Sequence, residues 1–372
     1  MKLVSKVIFK KNNAINIISF ILLLFIGSLF IIKYSSRLTN FSFIIVLFYI
    51  TALLSALSFI NNKITPNQNF ACTKIHFYFL AAVVILLAVS LHFIPHTAKV
   101  AREPAIIDWL NNFSRKSFPY GSKINPSGFP FLFFIASPFY FLGDLGYFEI
   151  IGLGLFISII LLYSQTKQEL LIRLTFLLLL PTTYYEIFTR SEILTNTVLV
   201  LLVFFILQNI KSRDLTKLPF YLSALLSGLL LSTRIIVFPW LVLFLIYYFK
   251  HDLKMGVIFF IISTITFLIT LLPFYIWNPK LFIENGPFAI QTIYLPNWAF
   301  VLFPLLFFYF GSKTKNFQEF LFFTGILTFV LVTISFVWTI YNFGFVQSLF
   351  NNKFDISYYI FSIPFLLLAI KE

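Results

Sequence analysis

The sequence predicts an all-α membrane protein, a polytopic helical bundle of about twelve spans with a large first extracytoplasmic loop. Three observations predict it. Hydrophobic residues make up 60% of the 372 and charged residues 11%, with a mean hydropathy of +0.94, which leaves too little polar surface to enclose a water-soluble core. The apolar runs have helix length rather than the roughly ten-residue alternation of an outer-membrane barrel. The net charge of +14 arrives as short Lys/Arg clusters between those runs, the pattern of loops kept on the cytoplasmic side and not of a nucleic-acid-binding face. No polar stretch is long enough for a soluble domain, so residues 1–372 read as a single integral membrane domain. The 53 phenylalanines, with abundant Ile, Asn and Lys, look like the bias of an AT-rich bacterial genome, which points to a bacterial inner membrane and carries no mechanism. Cys72 is the single cysteine, so neither an internal disulfide nor a thiolate metal cluster can form.

The first apolar run, Ala14 to Ile32, follows Lys2, Lys6, Lys10 and Lys11 and lacks a small-residue cleavage site, so it reads as a retained span. At about 20 apolar residues per span, helices are expected near 14–33, 40–60, 76–95, 147–164, 169–187, 191–209, 218–233, 235–249, 255–277, 296–311, 317–340 and 355–370. This arrangement places Lys63 and Lys74, Lys167 and Arg173, Lys211, Arg213 and Lys217, Lys250 and Lys254, Lys313 and Lys315, and Lys371 on one side with the N-terminal lysines. It requires that residues 129–142 do not cross, because a span there would put Lys167 and every later cluster on the wrong side. At about 14 residues that run is also short. It is expected to dip into the outer leaflet or lie along it, kinked at Pro138.

The loop 95–146 is then extracytoplasmic. In "REPAIIDWLNNFSRK", Glu103 precedes Pro104 at a helix start, and Ile106, Trp109, Leu110 and Phe113 recur at helical spacing. The reading is an amphipathic helix on the membrane surface, with Asp108, Asn111, Asn112 and Arg115 on its aqueous face. Taken alone, Asp108 reads first as part of an ordinary solvated face and only second as a functional residue. The second outer loop, "PTTYYEIFTRSEILTN", gathers Glu186, Arg190 and Glu192 within two helical turns, either as a site or as ion pairs that stitch two helices together.

Residues 219–249 are apolar except for Arg234 and, as one helix, would be about 46 Å long, well beyond a ~30 Å hydrocarbon core. One helix would also leave Lys217 and Lys250 on opposite sides. Two short helices meeting near Arg234 satisfy both constraints and recess the guanidinium, where a lipid phosphate is a natural partner. The alternative is an arginine snorkelling from a tilted helix. An acidic residue on a surface helix, the rigid "FPYG" turn at 118–121, a re-entrant apolar segment and recessed arginines together describe a pocket at the outer membrane face.

These residues resemble the GT-C superfamily of polytopic glycosyltransferases. The likeness lies in an acidic residue (Asp108 or Glu103) upstream of "FPYG", in "PSGFPFLFFIASPFYFLG", in "TRSEILTN", in "SGLLLSTRIIVFPWLVL" and in "LLPFYIWNPKLFIENGPF", over about residues 90 to 300. Adjacent acidic residues frequent in that family after the preceding span are replaced here by Arg102–Glu103 and a lone Asp108. The resemblance implies transfer of a sugar from a polyprenyl-phosphate donor to an extracytoplasmic hydroxyl of a glycan, lipid or protein, with inversion. Asp108 would act as base with Glu103 second, Arg190 and Arg234 would hold the phosphate, and Glu186, Glu192 and Tyr120 would orient the acceptor. Four scattered histidines offer no metal-ligand cluster, and a divalent metal would need Asp108, Glu192 and waters. A transporter or lipid-linked saccharide flippase is the alternative, and a non-catalytic assembly subunit a third. A flippase favours internal repeats and charges near the bilayer midplane.

Overall fold

The computed structural model describes residues 14–64, 68–96, 102–121, 125–209, 218–351 and 353–371. The basic residues Lys2, Lys6, Lys10, Lys11, Lys211, Arg213 and Lys217 lie outside the described residues. Among those described the chain is helical, with one isolated antiparallel bridge between Asn69 and Thr166. In chain order the helices are α1 (Ala14–Ser35), α2 (Ser42–Lys63), α3 (Lys74–Ser90, extended by a 3-10 turn at Leu91–Phe93), α4 (Arg102–Ser114), α5 (Pro130–Phe141), α6 (Gly146–Tyr163), α7 (Lys167–Leu179), α8 (Pro181–Thr189) and α9 (Ile193–Asn209). There follow α10 (Leu218–Leu231), α11 (Val237–Tyr248), α12 (Leu253–Trp277), α13 (Pro279–Asn285), α14 (Pro287–Thr292), α15 (Ala299–Lys313), α16 (Phe317–Phe343), α17 (Phe345–Leu349), a 3-10 helix (Ile356–Ser362) and α18 (Ile363–Ala369).

Six of these, α1, α2, α3 with its 3-10 extension, α6, α12 and α16, are long and apolar enough to cross a membrane, and α7 with α8, bent by 53°, forms a seventh if taken as one span. The protein is therefore a polytopic helical one. The remaining expected spans are shorter apolar helices, because the apolar runs are interrupted where the backbone turns. Local chemistry sets many ends. Thr166, Asp252, Asn278 and Asn316 accept a backbone N–H from the first turn of α7, α12, α13 and α16, while proline opens α5, α13, α14 and α18.

Contacts divide the chain into two units, one of Met1–Leu86, Leu153–Glu186 and Asn316–Glu372, the other of Leu87–Gly152 and Ile187–Lys315. In the first unit α1 packs on α2, and Phe20 of α1 meets Phe176 of α7 edge-on at 5.7 Å. The last carbonyls of α18 need partners, and fully buried Arg173 supplies them by donating from Nη2 to Leu368 (3.2 Å) and Ile370 (2.6 Å).

In the second unit α10 packs along α12, with Gly228 against the Ser263 backbone, where a Cβ would collide. The apolar run around Arg234 is two helices, α10 ending at Leu231 and α11 starting at Val237. Backbone freed by this break is taken up by the start of α5. The N–H of Phe129 donates to the Thr233 carbonyl (3.1 Å), that of Leu132 to the Ser232 carbonyl (3.3 Å) and that of Phe131 to Ser232 Oγ (3.4 Å). Irregular backbone in an apolar protein is tolerable when it is satisfied this way. α5 runs through Pro138 and, at about 18 Å, is too short to span.

One expectation is corrected here. The apolar face of α4 does not lie on lipid: Ile106, Trp109 and Leu110 are buried in a cluster with Phe133 of α5, Phe274 of α12 and Phe282 of α13. Trp109 stacks on Phe133 at 4.3 Å and on Phe113 at 5.1 Å. An amphipathic pattern specifies a buried face, and here aromatic protein surface covers it.

Candidate functional site

The second unit gathers ionisable residues from the ends and linkers of its helices into two linked clusters. α4 begins with Arg102 and Glu103, both buried. The linker between α8 and α9 carries Arg190 and Glu192, both nearly inaccessible. Arg190 adopts φ 51°, the left-handed region, at a cost of roughly 1–2 kcal/mol for a residue with a Cβ. Each pair contributes one residue to each cluster.

The first cluster is built on Arg190. Its Nε donates to Asp144 Oδ1 at 2.7 Å and its Nη2 to Asp144 Oδ2 at 2.9 Å, a two-pronged clamp, and Nη2 also reaches the Ile94 carbonyl at 3.1 Å. Glu103 Oε1 lies 3.6 Å from Arg190 Nε and 3.0 Å from His96 Nδ1. The His96 side chain is 55% exposed and that of Glu103 7%, so an open imidazole sits over an enclosed carboxylate. The second cluster is built on Glu192. Arg102 Nη1 donates to its Oε1 at 3.3 Å, and Arg234 Nη2 contacts the same oxygen. Arg234 Nη1 donates to Ser127 Oγ at 2.6 Å. Among the described residues Glu192 Oε2 and Arg190 Nη1 are buried without a hydrogen-bond partner, one acceptor and one donor.

The two carboxylates of the first cluster are driven apart. Burial raises Glu103, and the lowering effects of His96 and Arg190 do not offset it. Burial also works to raise Asp144, but hydrogen bonds from Arg190 and from the Gly146 N–H, with the guanidinium charge, outweigh it and hold Asp144 below its ordinary value. Arg190 in turn is raised, chiefly by its hydrogen bonds to Asp144. A carboxylate pushed up beside one pushed down is the arrangement that separates an exchangeable proton from a fixed charge.

The expected site residues are distributed unevenly. Glu103, Arg190, Glu192 and Arg234 enter the clusters. Arg190 faces Asp144 and Glu103 instead of pairing with Arg234, and Arg102 takes the place beside Arg234. Asp108 lies five residues past Glu103, about 140° round the helix, and points elsewhere; its Oδ2 is buried without a hydrogen-bond partner among the described residues. Tyr120 is fully enclosed in the aromatic cluster with its hydroxyl donated to the Gly128 carbonyl at 3.2 Å. Glu186 is buried at the edge of the other unit.

His96 and Asp144 were not singled out by the sequence. Asp144 stands in "LGDLG", which reads as a turn, and its partner is 46 residues away. The histidines, which the sequence shows as scattered, include one that folds beside two carboxylates: ligand atoms of His96, Glu103 and Asp144 lie within 4.8 Å of one another. As a metal site the set fits poorly. Arg190 already clamps both Asp144 oxygens and approaches Glu103, so a cation would have to displace a guanidinium.

No family model, curated protein or solved structure matches the chain.

Proposed function

We propose that the protein is an integral membrane glycosyltransferase of GT-C type, with about twelve spans and its site on the extracytoplasmic side of a bacterial inner membrane. It would transfer a sugar from a polyprenyl-phosphate donor to an acceptor hydroxyl with inversion. The observation that carries the reading is the pairing, within one unit, of an arginine pair converging on Glu192 with two carboxylates whose proton affinities are split.

Glu103 is the proposed base, in place of Asp108, because it is the carboxylate whose affinity for a proton is raised. The acceptor oxygen attacks the anomeric carbon as its proton passes to Glu103, and the bond from that carbon to the phosphate oxygen breaks. Arg234 and Arg102 stabilise the second negative charge that the departing lipid phosphate gains. Asp144 stays ionised and fixes Arg190. Glu192 holds the two phosphate-binding guanidiniums before the donor arrives. No metal enters the step, so a chelator should leave turnover unchanged; loss of turnover restored by Mn²⁺ would make His96, Glu103 and Asp144 ligands instead.

The test is membrane-embedded protein incubated with labelled polyprenyl-phosphate sugars and scored for release of polyprenyl phosphate. Movement of intact lipid-linked sugar across the membrane without release would make the protein a flippase.

A further inference from the structure

We propose that Gln291 is a positioning residue that sets Arg234 for phosphate binding. The inference rests on the reading of Arg234 as a phosphate ligand and extends the site to a third outer-loop segment. Gln291 lies on α14 with its side-chain amide between two other stretches of chain. Its Oε1 accepts the Ile235 N–H at 2.8 Å, and its Nε2 donates to the Ser127 carbonyl at 2.6 Å. Ser127 Oγ is the atom that receives Arg234 Nη1 at 2.6 Å. One amide thus joins the break that carries Arg234 to the residue that holds the end of the Arg234 side chain.

The chemistry requires an amide. The Ile235 N–H belongs to the break between α10 and α11, where the backbone has left its helical ladder and needs an acceptor. The Ser127 carbonyl needs a donor. A primary amide supplies both from one planar group, whereas a carboxylate supplies the first and opposes the second, and a thioether supplies neither. Phe129 and Leu132, at the start of α5, donate to the other side of the break, at Thr233 and Ser232. The break is therefore braced from two sides, with Arg234 between the braces.

The experiment measures affinity for farnesyl phosphate relative to farnesol in one detergent, with thermal stability recorded on the same samples. Gln291→Met, close in size to glutamine, should lower the relative affinity about tenfold, the worth of one hydrogen bond that orients a charged group. Ser127→Ala should do the same, and the double variant should be no worse than either single one, because both changes release the same guanidinium. In an Arg234→Leu background Gln291→Met should change nothing. Should Gln291→Met fold poorly, Gln291→Glu keeps the acceptor and loses the donor, and the same loss is expected of it. An unchanged affinity in Gln291→Met, or an equal loss with and without Arg234, overturns the proposal. Equal farnesyl phosphate affinity in the parent and in Arg234→Leu overturns instead the reading on which it rests, and the proposal falls with it.

Discussion

Arg173 in one unit and Arg234 in the other are both buried guanidiniums, and they are held in opposite ways. Arg173 donates to the carbonyls of Leu368 and Ile370 and to Ser164 Oγ, lies 3.8 Å from Glu169 one turn earlier on its own helix, and covers the Tyr163 ring at 4.9 Å. Its main acceptors are backbone carbonyls in the last turn of α18 and at the residue that ends it, and these move only with the main chain. Arg234 is bound by the side chains of Glu192 and Ser127. Contacts to side chains of this kind can be exchanged by rotation, without unwinding a helix. Burial marks both residues equally; what separates a structural arginine from an available one is whether its partners are free to rotate.

The largest effect that would test this contrast is on the chemistry beside the available arginine. Glu103→Gln is expected to lower turnover roughly 10²–10⁴-fold with farnesyl phosphate binding retained, the usual worth of a positioned general base. Asp108→Asn should cost less than about tenfold. The reverse pattern would return the base to Asp108. Next in size is the structural side of the comparison. Arg173→Met removes the guanidinium 3.8 Å from Glu169, a carboxylate at 2% side-chain exposure, and the donor to two carbonyls. It should destabilise by about 3–5 kcal/mol, read as a fall in Tm, with relative farnesyl phosphate affinity unchanged; a stable Arg173→Met protein would erase the distinction.

Smaller effects sharpen it. Arg234→Lys keeps the charge and loses the planar fork, so farnesyl phosphate affinity should drop by about tenfold with Tm near the parent's, and Arg234→Leu should drop it further. Tolerance of lysine would make Arg234 a snorkelling residue. The smallest effect concerns pH. Glu103 is raised, so as a base it loses activity as pH falls through that raised value. Asp144 is depressed, so the stability it contributes is present above its unfolded value and is lost as pH falls through the folded one. The Arg190 charge lowers both groups. Arg190→Gln should therefore move the acid limb of turnover to higher pH, and an unmoved limb would remove Glu103 as the titrating base.

Much of the fold was legible because it follows from apolar length. The interruption at Arg234 is a case in point: residues 219–249 are too long for one span, and the helix breaks between Leu231 and Val237. The surroundings of α4 were not legible. Its 3,4,7 spacing identifies a buried face but not the cover, and Phe133, Phe274 and Phe282 come from three other helices. In the site, Glu103, Arg190, Glu192 and Arg234 were visible as costly charges in apolar sequence. Their pairing was not: Arg190, at a left-handed backbone position, and Glu192, two residues on, enter different clusters. Arg102 and Glu192 are separated by 90 residues, and no local pattern encodes that contact.

The docking of α5 on the broken helix also orders the protein's biogenesis. Phe131 is translated 101 residues before the serine that receives its N–H. At the rate of roughly 5–20 residues per second at which chains are made, the first turn of α5 waits several seconds with its donors unmatched. Unmatched donors cannot enter hydrocarbon without a cost of several kcal/mol each. The segment must therefore wait at a wet surface while α6 to α10 are made, and it can settle only once the ribosome has delivered Ser232 and Thr233. Chains truncated before residue 232 should leave α5 open to a water-soluble protease, and chains extended past α11 should shield it.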